Sequence, residues 1–275
     1  SHIEQRNGHS APIKNTVVVS TSSPCPSGSN ETNTLGTDHA EGEVWSCEGR
    51  IDSISVRSAL HEYQLTTWQS NLNQPWSLAF LPDGGALITE KKPARLLLLA
   101  PGTTTEITGL PPIDTRGDCG LMDVVLHPAY ARTGWIYLAC SDPPEADGSP
   151  PAGQTRIIRG RLRDGTLVDQ EVVYQVAPER TMEKPGSGGR IAFDRAGYLY
   201  FSIGDHSGTK NILAGTTTAQ KLDWPTGKIH RVFDDGRIPS DNPYAHDPNA
   251  LPTVWTYGHR NPQGLAFHPV TGELY

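Results

Sequence analysis

A chain of 275 residues with 36% hydrophobic and 19% charged residues has room for one large core or two small ones. Its net charge of −7, with no run of Lys or Arg, argues against nucleic acid as a partner. No stretch approaches the roughly 20 apolar residues that span a bilayer, so no transmembrane segment is expected. The frequent Gly (28) and Pro (23) suit many short strands joined by turns rather than a helical bundle.

Residues 1–62 are rich in Ser, Thr, Asn and Gly, with one β-prone run at residues 16–20, and read as a loosely ordered leader or linker. The four cysteines, Cys25, Cys47, Cys119 and Cys140, contain no Cys-x-x-Cys pair, which disfavours zinc. Their even count and wide spacing fit two disulfides in an oxidising compartment, and fit four separate thiols equally well. In the first case Cys25–Cys47 pins the leader. A local pattern supports the second bond. Residues 120–126 and 135–140 read as the arms of a hairpin around residues 127–134, and closing it brings Cys119 near Cys140.

From Tyr63 onward one shape recurs: an apolar strand, a Pro or Asp turn, then a second strand. It occurs at residues 78–84, 124–128, 191–197 and 265–269, each followed by a strand at 86–90, 135–140, 198–203 and 273–275. Phe80, Leu126, Phe193 and Phe267 are then equivalent, about 46, 67 and 74 residues apart. A four-stranded propeller blade takes about 40–50 residues, so the longer intervals carry insertions, at 143–154 and 242–251. Radial repetition leaves only short sheet edges. The expectation for residues 63–275 is therefore an all-β propeller, with a β-sandwich of similar hairpins as the alternative. Tyr275 falls inside a strand, so the sheet is expected to continue past it and the chain to hold about the first four blades.

Between two strands, residues 258–264 place Arg260 and Asn261 side by side. A guanidinium next to an amide suits a planar, anionic ligand, through stacking or a forked bond to a carboxylate; Arg260 serves equally well to tie down the turn. No HxH or HExxH spacing, GxSxG elbow, GxGxxG after a strand or phosphate loop is present.

The run Gly258-His259-Arg260-Asn261-Pro262-Gln263-Gly264-Leu265-Ala266-Phe267 resembles the signature of the soluble aldose sugar (glucose) dehydrogenases that use pyrroloquinoline quinone. Further pieces of the chain resemble the family in the same order. They are residues 73–84, 120–128, 189–193 with 202–205, and then 219–222, 227–231 and 235–243. The resemblance runs over roughly residues 63–275. It implies a secreted or periplasmic six-bladed propeller with the quinone over one end of the channel. It also implies oxidation of the C1 hydroxyl of an aldose sugar to a lactone. A histidine takes the proton, hydride passes to the quinone, a bound Ca2+ polarises it, and a separate electron acceptor follows.

Position by position, Arg260 and Asn261 fall on the family's quinone-binding pair. Asp118 stands where the family usually has a substrate-site Gln. Gly186 stands where the catalytic His belongs, four residues before Arg190, and residues 184–190 contain no histidine. Glycine cannot take a proton. His206, after Ser202-Ile203-Gly204-Asp205, is the best surrogate base, and it also reads as an ordinary surface-loop residue. His259 lies inside the signature and reads as structural. The family's calcium ligands follow the segment that begins at Gly272, so no metal ligand is expected within the chain. By itself the chain is expected to bind quinone weakly and to be inactive. Gly186 leaves open a non-catalytic propeller that binds a protein or glycan, as in the hedgehog-interacting proteins that resemble this family. A lactonase-type propeller hydrolase fits the motifs less well.

Overall fold

The alternation of short apolar strands with Gly- and Asp-bearing turns folds into successive antiparallel sheets. The computed structural model describes residues 53–57, 62–66, 68–143, 153–177, 188–205 and 217–275. The chain separates into two units, Ser1–Gln74 and Pro75–Tyr275. In the first, β1 (Ser53–Arg57) pairs antiparallel with β2 (Glu62–Thr66). Most of the leader expected over residues 1–62, including Cys25 and Cys47, lies outside the described residues.

In the second unit, three four-stranded sheets each follow chain order. The first is β3 (Pro75–Phe80), β4 (Ala86–Glu90), β5 (Arg95–Ala100) and β6 (Thr103–Ile107). The next is β7 (Leu121–Leu126), β8 (Trp135–Ser141), β9 (Thr155–Arg163) and β10 (Thr166–Gln175). The last is β11 (Gly188–Phe193), β12 (Leu199–Ile203), β13 (Lys228–Val232) and β14 (Val254–Tyr257). A short helix, α1 (Tyr130–Thr133), closes the β7–β8 connection and ends at Gly134, whose φ of 66° suits glycine. A further hairpin opens after β14: Phe267 bridges Leu274, and Ala266 and Tyr275 exchange backbone bonds of 2.9 and 2.8 Å.

These sheets are propeller blades. The first strand of the second sheet, β7, packs against both β3 and β11, so the leading strands lie innermost and adjacent. Side chains alternate across each strand, and both faces of the second blade are covered. Leu121, Val124, Ile136, Leu138 and Ile158 join Leu87 and Leu96 of the first blade. Met122, Tyr137, Ala139 and Ile157 join Ile191, Leu199 and Phe201 of the third. For this reason β8 is buried at every position. Each fully buried Leu or Ile contributes about 1.5–3 kcal/mol, so inter-blade packing holds the fan together. The outer strand β6 is polar and exposed except at Ile107. The outer strand β10 carries two register breaks, a common guard on a sheet edge.

Candidate functional site

The candidate site lies where the leading strand of the third blade begins. After β14 the chain reverses at Gly258 (φ 89°), and nearly every residue of the following turn is stitched to the third blade. The Gly258 N–H donates to Ala219 O and the His259 N–H to Gly227 O, both at 3.0 Å. Arg260 O accepts from the Asp205 N–H at 2.7 Å, and the Arg260 guanidinium donates back to Asp205 O. Asn261 Oδ1 accepts from the Gly188 N–H at 2.9 Å. Pro262 O accepts from the Ser202 hydroxyl at 2.7 Å, and Gln263 O from Arg190 Nε at 2.8 Å. Arg260 and Asn261 are themselves exposed. Among the described residues, the Asn261 amide nitrogen and the other guanidinium nitrogens of Arg260 have no acceptor. One side of each group thus anchors the turn, and the other presents donors outward. Of the two uses open to Arg260 in the sequence, the bonds to Asp205 realise the anchoring of the turn.

The strand beneath this turn requires glycine. Gly188 and Gly189 have φ of 88° and 79°, and a Cβ on Gly189 would lie 2.4 Å from Met122 Sδ. Next to Met122, Asp123 is 1% exposed and joins three blades. It accepts from the Ser77 hydroxyl on β3, from the Val124 N–H at 3.0 Å, from the Ile191 N–H at 2.7 Å and from Arg190 Nη1 at 3.2 Å. Arg190 also lies over the Trp76 ring, 4.2 Å from its centre. Burial pushes the Asp123 carboxyl above its ordinary pKa, against the pull of the Arg190 charge and these bonds.

A second set of charges recurs from blade to blade, with an acid near the end of the second strand and a base at or near the start of the third. Glu90 and Arg95 are bonded at 2.7 Å. Asp142 Oδ1 and Arg156 Nε lie 2.9 Å apart, an ion pair misaligned for a hydrogen bond. In the third blade Asp205 acts electrostatically on Lys228. Sequence reading missed Asp123, Arg190 and this series. The available signal was a charged residue inside an otherwise apolar strand, as in Leu121-Met122-Asp123-Val124.

His230 lies fully buried behind the site. Its Nε2 is 2.8 Å from Pro225 O, which can only accept, so that nitrogen carries the proton and Nδ1 accepts from Thr253 Oγ1 at 2.9 Å. Burial, with the Lys228 charge, lowers its pKa to about 4. The unfolded chain therefore takes up a proton near pH 6.5 that the folded chain refuses until about pH 4. Stability is full above that window and falls as pH drops through it. Between pH 7 and 4.5 this residue should cost about 2–3 kcal/mol. Urea unfolding of wild type and His230→Gln at both pH values checks it: the variant should lose that much less on acidification.

Asp118 is exposed on the loop entering β7, and no bond joins it to Arg260 or Asn261 among the described residues. The disulfide expected between Cys119 and Cys140 is not formed; both are buried, free thiols. Register explains this. Leu121 is the residue opposite Cys140, so Cys140 enters the core between the first two blades while Cys119 meets Asp114 and Ser141. Burial pushes the two thiols up to about 12 and about 11, respectively, leaving both protonated and inert. Gly186 and His206 lie outside the described residues. Among those described, no three His, Cys, Asp or Glu side chains gather as metal ligands, and no helix is long and apolar enough to cross a membrane. An open depression of about 540 Å³, lined by Tyr200, Trp255 and Phe267, lies toward the other end of the strands from Arg260.

The chain is similar to known proteins over most of its length. A family model described as Glucose / Sorbosone dehydrogenase matches residues 72–275. Aldose sugar dehydrogenase YliI of Escherichia coli (strain K12) is 37% identical over 211 residues, covering 75% of this chain and 54% of its own length. Quinoprotein glucose dehydrogenase B of Acinetobacter calcoaceticus is 32% identical over 223 residues, covering 74% and 46%. The PQQ-bound form of aldose sugar dehydrogenase from Streptomyces coelicolor aligns with a TM-score of 0.59 at 29% identity, covering 74% of this chain and 56% of that one. The chain thus spans about half the length of these relatives.

Proposed function

Because this chain belongs to the glucose/sorbosone dehydrogenase family, we propose that the protein oxidises the C1 hydroxyl of an aldose sugar to a lactone, with pyrroloquinoline quinone as the hydride acceptor. The fold is the family's six-bladed β-propeller, of which the described residues form three blades and the opening hairpin of another. The observation that carries the proposal is the exposed Arg260–Asn261 pair, locked to Asp205 and Gly188. Its chemistry fits a quinone bearing carboxylates: a fixed cation and an amide donor face outward, and the Asp205 carboxylate is turned away, accepting from the Thr218 hydroxyl at 3.0 Å. When bound, the quinone supplies the two-electron acceptor. Arg260 binds and orients it from one edge, and Asn261 adds a directional bond. Asp118, exposed at the mouth of the second blade, is available to accept from sugar hydroxyls. Ca2+ belongs to the same reading, but the described residues do not fit it, since they gather no ligand set, and none is assigned to it. A separate electron acceptor and a secreted or periplasmic location complete the reading.

Gly186 bears on the proton. With glycine where the family has histidine, removal of the C1 proton falls to another group, and His206 is the assigned surrogate. The test is dye reduction by the complete gene product with aldoses, quinone and Ca2+. Turnover is expected. A positioned base is worth about 10²–10⁴-fold, so Gly186→His should raise kcat by at least about 10²-fold. The absence of Gly186's side chain also favours a second reading, a non-catalytic propeller that binds a protein or glycan. No holoenzyme spectrum and no dye reduction, in wild type or Gly186→His, would select that reading.

A further inference from the structure

We propose that Lys228 is a positioning residue, whose buried ammonium holds the Thr218–Gln220 turn as the platform on which residues 258–261 dock, and so sets where Arg260 and Asn261 stand. Lys228 opens β13 and is 0% exposed. All three of its N–H donors are taken by backbone carbonyls: Thr218 O and Ala219 O at 3.0 Å and Thr226 O at 2.8 Å. Long cationic side chains are almost never fully buried without such compensation. Here the acceptors belong to the two short segments that carry the ligand turn.

The coupling is direct. Ala219 O accepts from Lys228 and also from the Gly258 N–H. Gly227, one residue before Lys228, accepts from the His259 N–H. The apposition leaves no space: a Cβ on Gly227, at φ 70°, would lie 2.5 Å from Ala219 Cβ and 2.7 Å from His259 O. On the other side Thr218, whose carbonyl Lys228 holds, donates its hydroxyl to the Asp205 carboxylate. The Asp205 backbone exchanges bonds with Arg260. Lys228 therefore reaches Arg260 by two short routes, through Ala219–Gly258 and through Thr218–Asp205. Burial lowers its pKa to about 8, opposed by the charges of Asp205 and Asp223. A lysine used only to fill core space would be served as well by methionine. The three directed bonds are what methionine lacks.

The consequence for the quinone rests on the function proposed above; the effect on the turn does not. The experiment is hydrogen–deuterium exchange followed in peptides covering residues 256–263, on wild type, Lys228→Met and Leu87→Ala. Leu87, 0% exposed in the first blade's core, serves as a control for general destabilisation. Exchange in 256–263 should be about tenfold faster in Lys228→Met than in either other protein. Exchange no faster than in Leu87→Ala overturns the proposal and makes Lys228 a core residue only. Should Lys228→Met fail to fold, Lys228→Gln, which can still donate two bonds, should give about threefold faster exchange; wild-type exchange there also overturns it. Titration of the complete gene product with pyrroloquinoline quinone is the second arm. If wild type binds, Lys228→Met should bind about tenfold more weakly, and equal affinity overturns the positioning role. If wild type does not bind, the quinone reading fails and the exchange measurement alone decides on Lys228.

Discussion

Replacing Asp123 with alanine should cost about 3–5 kcal/mol of unfolding free energy, because one buried carboxylate holds groups from three blades. Its removal leaves the Val124 and Ile191 N–H groups without this acceptor and takes the buried counter-charge from Arg190. Neither backbone donor gains water in exchange, since Val124 and Ile191 are 1% and 3% exposed. Asp123→Asn keeps one acceptor oxygen but turns an amide donor toward a site already crowded with donors. It should cost less, about 1–3 kcal/mol. Urea denaturation with an unchanged slope checks both values. An Asp123→Ala protein within 1 kcal/mol of wild type would show that the blades are held by apolar packing alone.

Arg260→Ala should weaken quinone binding by about 100-fold or more, the scale for removing one partner of a desolvated charge pair. Two losses combine. The outward donors disappear, and so does the guanidinium bond to Asp205 O that fixes the turn. Arg260→Lys should recover little, because a single ammonium cannot both hold that carbonyl and present a planar fork. Absorbance or fluorescence titration of the complete gene product with the quinone measures both variants. An affinity for Arg260→Lys near that of wild type would mean that charge alone matters and the fork does not.

The blades were legible because their determinants are local. An apolar strand, a Pro or Asp turn and a second strand are set by neighbours a few residues apart. The strands expected at 86–90, 135–140 and 198–203 accordingly appear as β4, β8 and β12 within a residue. The strand expected at 273–275 is reduced to a single bridge at Leu274. The helix α1, inside the segment read as a hairpin turn, was not anticipated, since four residues are too few to show helical periodicity. For the site, the adjacent pair Arg260–Asn261 could be read as a motif, but its anchors could not. Asp205 and Gly188 lie 55 and 73 residues from their partners, and no spacing rule links them.

From the sequence alone come the propeller repeat, the donor pair on the turn after β14 and the absence of histidine from residues 184–190. Each is written in one short stretch of chain. Tertiary structure decided the rest. Register set Leu121 opposite Cys140 and kept the two thiols apart. The meeting of three inner strands gave Asp123 its partners, and the fold of the third blade wrapped carbonyls around Lys228. A strand pattern says which face is apolar. Only the blade packed against that face determines whether a charge on it is buried and what neutralises it.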